Sequence, residues 1–158
     1  MSTFTAEPLS SANATIAYPL IRSFVPALRL EEWLGHITRL EQAEHAPLCG
    51  GILVRKHAAR YPNGLALFRR EYGGLTERAT LLAEHLVALH LLDVEPTLVA
   101  LLGEIDRLAQ RLGCDVIRTH CIGPACLLAP SLVRLGHVQD GVILRKIADN
   151  SSFSGRPA

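Results

Sequence analysis

The chain carries no dominant charge and no apolar run of membrane length, and no secretory leader is expected. Its 158 residues have a formal net charge of +1, so no field of one sign exists to hold nucleic acid or an anionic membrane surface. The basic pairs Arg55-Lys56, Arg69-Arg70 and Arg145-Lys146 each sit in or beside an apolar run and read as solvated strand faces. The longest strongly apolar stretch, Ala79–Leu92, is interrupted by Glu84, His85 and His90 and is too short to span a bilayer. MSTFTAEPLSSANAT lacks a basic region followed by an apolar core. The expectation is a cytoplasmic protein with neither a membrane nor a nucleic-acid partner.

Motif chemistry is sparse too. There is no Gly-x-Ser-x-Gly elbow, no Walker loop and no Rossmann fingerprint. His120, Cys121, Cys126 and His137 are soft ligands, but they lack the close cysteine pair of a zinc site, and no metal is expected. Cys121 with His120 or His137 imitates a thiol–histidine pair without an orienting third group. The four cysteines lie in segments that read as buried, which fits free thiols in a reducing compartment.

What is present is an ordinary globular balance, 49% hydrophobic and 20% charged. The length suits one domain, here expected over residues 1–149, with a polar tail at 150–158. Phe4–Glu7 reads as an edge strand. Ser10 and Ser11 offer a cap to a helix over Ala12–Phe24, with Ile16, Leu20, Ile21 and Phe24 on one face and Pro19 kinking or splitting it. A second helix runs from Arg29 to Glu44 on a stripe of Leu30, Trp33, Leu34, Ile37 and Leu40.

The period then changes to two. Gly51–His57, Leu65–Tyr72 and about Thr80–Leu89 read as a meander, with Asn63-Gly64 at the first turn and Gly73-Gly74 at the second. Composition alone allows Ala79–Leu92 to be a helix, but the spacing of the turns favours a strand. Thr97–Leu112 is the clearest helix, with Pro96 at its start and Gly113 past its end. Cys114–Cys121 reads as a strand, Gly123-Pro124 opens a short helix ending at Gly136, and Gly141–Ile147 reads as a last strand. The order implies an α/β fold: a mixed, mostly antiparallel central sheet flanked by helices on both faces.

That order, with the strings TFTAEPLSSANATIAYPLIRSF, LVAL, LLGEIDRLAQRLGCDVI and ACLLAPSLVRLGHV in sequence, resembles the GNAT superfamily of acyl-CoA-dependent N-acyltransferases. The resemblance covers about 140 residues and implies acetyl-CoA or another acyl-CoA as co-substrate, with a small-molecule or peptide amine as acceptor. In the family, a Gly-rich loop and a helix N-terminus hold the coenzyme diphosphate. Here that position falls on Asp93-Val94-Glu95-Pro96-Thr97-Leu98, without glycine or arginine. The same residues also read as a self-sufficient helix start, with carboxylates on the dipole and proline in the first turn.

The remaining roles transfer position by position. The backbone amide that polarises the thioester carbonyl corresponds to Val87 or Ala88, and Thr97 and Leu98 fall in the coenzyme loop. Glu84, or its neighbour His85, is the candidate base; strand alternation sends the two to opposite faces. Glu84 also suits a cross-strand pairing with Arg69 or Arg70, and His85 a half-buried site with a backbone partner. The family's proton-donating tyrosine is replaced by Leu132, with Ser131 beside it, which leaves His137 as candidate acid. A second reading is a GNAT-shaped binding, sensing or dimerising module without coenzyme. Leu81–Leu92 and Gly141–Ile147 suit the monomer core and equally allow a homodimer.

Overall fold

A computed structural model describes residues 3–42, 48–73, 78–89, 94–121 and 123–141. The elements in chain order are β1 Phe4–Pro8, α1 Ala14–Phe24, α2 Leu30–Gln42, β2 Cys49–Lys56, β3 Gly64–Gly73, β4 Arg78–Ala88, α3 Glu95–Arg111, β5 Val116–Thr119, a 3₁₀ segment Gly123–Leu128 and α4 Ala129–Arg134. The expected last strand, beyond Gly141, and the tail lie outside the described residues.

The sheet is mixed, with spatial order β1-β2-β3-β4-β5. The first four strands pair antiparallel as a meander, and β5 joins β4 in parallel. A parallel neighbour needs a crossover, and α3 supplies it. The run at Ala79 is thus a strand, as the turn spacing indicated.

Alternation along the strands divides the core between the two faces. Ile52, Val54, Ala66, Leu81, Ala83, Leu86 and Ala88 pack with Leu98, Leu101, Leu102, Ile105 and Leu108 of α3. Leu53, Leu65, Leu67 and Val87 point the other way, onto α1 and α2. Trp33 anchors that second layer: it is 2% exposed, and its indole N–H donates to the Ala14 carbonyl at 2.8 Å. The bond joins α2 to the first turn of α1 and satisfies the one polar atom that burial of the ring would orphan.

Several expectations need correction. Pro19 lies inside α1 without splitting it. The buried stripe of α1 is Ala14, Ala17, Leu20 and Ile21, whereas Ile16 is 36% exposed. Small alanines face inward because α1 packs close against the sheet and Trp33. The helix start is organised by Asn13, whose side chain accepts from the Ser10 N–H at 2.8 Å and donates to the Pro8 carbonyl at 2.9 Å, not by a serine cap. On α2, Leu30 is exposed at the helix start. Cys126 is exposed and the other three cysteines are half-buried, all of them free. Among the described residues, no helix is long and apolar enough to cross a membrane.

Candidate functional site

The site grows from a defect in β4. Leu67 pairs with Glu84 and Leu65 with Val87, so one residue of β3 faces two of β4, His85 and Leu86. This is a β-bulge, and His85 carries it at φ +46°, a left-handed conformation that costs most residues about 1–2 kcal/mol. The Leu89 N–H donates to the Asn63 carbonyl at 2.7 Å, on the β3 side. Antiparallel alternation then commits Val87 to the β3 ladder and turns the peptide groups of Leu86 and Ala88 to the opposite side.

On that opposite side β5 has already ended. The parallel register runs from Thr80–Val116 to Ala83–Thr119, while β4 continues five residues further, to Ala88. The two strands therefore part at the bulge. The split has a floor of backbone peptide groups from β4 and a wall formed by the end of β5.

Glu84 stands at the mouth of this split. Its partner across β3 is Leu67, which packs onto α1 and α2, so the carboxylate is on that face. Its oxygen lies 3.4 Å from the Arg69 guanidinium, and its side chain is 29% exposed. His120, just past β5, brings Nδ1 to 3.9 Å from the same carboxylate, an electrostatic approach and not a hydrogen bond. Arg69 also holds Glu71 at 2.7 Å, and that bond is the main cause raising its pKa above the ordinary value.

Across the face, half-buried His36 of α2 stacks near Trp33 with ring centroids 6.5 Å apart. Burial lowers the His36 pKa, the charges of Arg39 and His85 lower it further, and Glu84 opposes them. Glu84 and His85 thus act on the same α2 imidazole. The extra residue of the bulge interrupts the period of two on which the opposite-face expectation rests, and His85 is exposed instead of half-buried.

His137 arrives from α4. Gly136, at φ +97°, ends that helix, with its own N–H bonded to the Val133 carbonyl and the His137 N–H bonded to that of Leu132. This pair is a Schellman stop, which needs glycine at the left-handed position. It sets the half-buried His137 ring 3.1 Å from the Thr119 hydroxyl, at the last residue of β5. Thr119 aligns with Ala83, which faces α3, so His137 and Glu84 occupy opposite faces of the split. Leu132 and Ser131 are buried in α4.

The start of α3 is different. Thr97 and Leu98 have fully buried side chains, and the Leu98 N–H is spent on the Val94 carbonyl at 3.0 Å. The Thr97 methyl sits 3.0 Å from the place a Cβ on Gly64 would occupy, so the helix start is keyed to the start of β3. Glu95 occupies the first turn and pairs with Arg134 of α4 at 2.8 Å; Arg134 also donates to the Ser131 hydroxyl at 2.8 Å. Pro96 has no N–H to offer. The described part of this end does not suit a diphosphate: it presents a carboxylate, a proline and an amide already bonded. Asp93 lies outside the described residues.

Among the described residues, no group of three or more His, Cys, Asp or Glu is placed to hold a metal. A shallow cavity of about 210 Å³ between β1 and α3 is lined by Phe4, Val54, Val99 and Arg107, among others, and by none of the candidate residues. The Arg69 partner of Glu84 was foreseen, whereas His120 beside Glu84 and the Glu95–Arg134 pair were not. Only Arg69 had a local signal, its place on the strand next to that of Glu84.

This mixed five-stranded sheet with helices on both faces matches the fold of GNAT N-acetyltransferases. Glucosamine-6-phosphate N-acetyltransferase from Arabidopsis thaliana matches with a TM-score of 0.74 at 10% identity, over 93% of this chain and 99% of that one. The aminoglycoside N-acetyltransferase AAC(6')-Iy, solved in complex with CoA, matches with a TM-score of 0.73 at 13% identity, over 94% and 97%. A GNAT family acetyltransferase from Staphylococcus aureus matches with a TM-score of 0.72 at 11% identity, over 92% and 99%. No protein-family model and no curated protein sequence matches the chain, so the likeness is one of structure.

Proposed function

We propose that this chain is an N-acyltransferase that moves an acyl group, acetyl being the simplest, from a coenzyme A-type thioester to a small-molecule or peptide amine. The observation that carries the reading is the parting of β4 from β5 at the His85 bulge, with a carboxylate at its mouth. Outward peptide groups suit a thioester carbonyl, because a fixed N–H stabilises the oxygen as its charge grows. The complex of AAC(6')-Iy with CoA supports such a donor by analogy of fold.

In this reading Glu84 takes a proton from the acceptor ammonium, directly or through one water. The freed amine attacks the thioester carbon, whose oxygen lies against the Ala88 N–H. The adduct nitrogen releases its extra proton to solvent, the C–S bond breaks as the amide forms, and His137 gives a proton to the departing thiolate from the other face. Arg69 and His120 hold the Glu84 carboxylate in place. The Thr97 and Leu98 side chains are taken up in packing, and in this reading the α3 start contributes little to the family's diphosphate contact.

A second reading, a GNAT-fold binding or sensing module without enzymatic activity, is favoured by one observation: the Glu95–Arg134 pair closing that helix end. Millimolar acetyl-CoA separates the two. A ligand that binds the native state must raise Tm, by mass action. A raised Tm together with acetylation of a polyamine or aminoglycoside panel supports the enzyme; an unchanged Tm favours the module.

A further inference from the structure

We infer that the acyl donor is held by its pantetheine arm alone, so that this protein treats an acyl-pantetheine thioester and the corresponding acyl-CoA as near-equal donors. The inference rests on the acyltransferase reading above and names the part of the donor that matters. Two independent features lead to it. At the split, β4 runs five residues beyond the β5 pairing, and its bulge leaves Leu86 and Ala88 peptide groups turned outward. An extended amide-rich chain pairs with such a strand edge by main-chain hydrogen bonds, as an added strand does. A pantetheine arm, with two amides in an extended chain, has that character.

At the other end, the described start of α3 offers little to two phosphates. The first turn of α3 presents the Glu95 carboxylate, and Arg134, a cation that reaches it, is engaged by Glu95 and by the Ser131 hydroxyl. Pro96 removes one N–H from the turn and Leu98 uses another internally. The charge that a diphosphate would seek is already neutralised within the protein. The nucleotide half of coenzyme A therefore adds bulk and negative charge without adding affinity.

The test compares binding of acetyl-CoA, S-acetyl-pantetheine and adenosine 3',5'-bisphosphate to the wild-type protein by calorimetry. Dissociation constants for the two thioesters within about threefold, roughly 0.7 kcal/mol, with no heat from the bisphosphate, support the inference. Acetyl-CoA binding more than about thirtyfold tighter, roughly 2 kcal/mol, overturns it while leaving the acyltransferase reading intact. If neither thioester binds, the acyltransferase reading falls and this inference falls with it. Glu95→Gln provides a second arm. It releases the Arg134 guanidinium for phosphate, so acetyl-CoA should tighten by about tenfold with S-acetyl-pantetheine unchanged, as a charge-assisted hydrogen bond would give. A Glu95→Gln protein whose preference does not change refutes the role given to the ion pair.

Discussion

The two ends of the proposed donor path are built from different materials. The split at β4 is made of backbone: a bulge, a strand that outlasts its neighbour, and peptide groups without ladder partners among the described residues. The start of α3 is made of side chains: Glu95, Pro96, Thr97 and Arg134. Backbone geometry is held by the whole sheet and survives replacement of most side chains. A side-chain site changes with each substitution. A backbone feature of the first kind can persist while side chains of the second kind change, as the shared fold at 10–13% identity illustrates.

The contrast can be broken at either end. The largest effect is expected from Glu84→Gln. Loss of a positioned base should lower turnover by about 10²–10⁴-fold with the melting temperature little changed, since the Arg69 pair it removes is partly solvated. Ala88→Pro comes next. Ala88 faces Gly64 across the ladder, where its N–H is not spent on β3, so proline deletes only the outward donor. Single-turnover acyl transfer should fall by about 10²–10³-fold, the effect of removing one oxyanion donor. Equal turnover in that variant would mean that the split does not hold the thioester.

Stability probes sharpen the same contrast. His85→Val forces a β-branched residue into the left-handed region and should cost about 1–2 kcal/mol in urea unfolding, whereas His85→Gly should be close to wild type. At the other end, Arg134→Ala removes an exposed ion pair and should cost less than about 1 kcal/mol. The smallest effect is a pH dependence from His36. Its imidazole is held below the ordinary value of 6.5, chiefly by burial, so the unfolded chain binds the proton more readily than the native one. The stability associated with the neutral ring is therefore complete above pH 6.5 and is lost as pH falls toward the native pKa. Thermal melts of wild type and His36→Gln should diverge between pH 7.5 and pH 5.5, with the wild type declining more steeply.

Most of the fold was legible because it is written in short-range period. The stripes of α3 and the alternation of β2, β3 and β4 reach the core as the pattern requires. Glu84 was legible as a carboxylate on a central strand, and its Arg69 partner followed from cross-strand spacing. The bulge was not. It is set by the mismatch in length between the two segments of the β3–β4 ladder, a tertiary property with no local residue signature, since histidine is an unremarkable occupant of a strand. The burial of Ala14 and Ala17 in place of Ile16 has a similar cause: the choice of inward face is made by Trp33, nineteen residues downstream of its Ala14 contact. Likewise Glu95 could be read as a helix-start carboxylate, but Arg134 reaches it over a separation of 39 residues.

The parallel β4–β5 contact also has a kinetic meaning. It is four residues long and depends on a crossover through α3, whereas the β3–β4 ladder is a local hairpin running from Gly64–Ala88 to Gly73–Arg78. Long-range parallel pairing closes after local pairing and opens before it. Amide exchange should therefore appear first along Val116–Thr119 and last in the centre of β3. The wall of the split is its least persistent part, and a bound donor would register as slowed exchange in four peptide groups of β5.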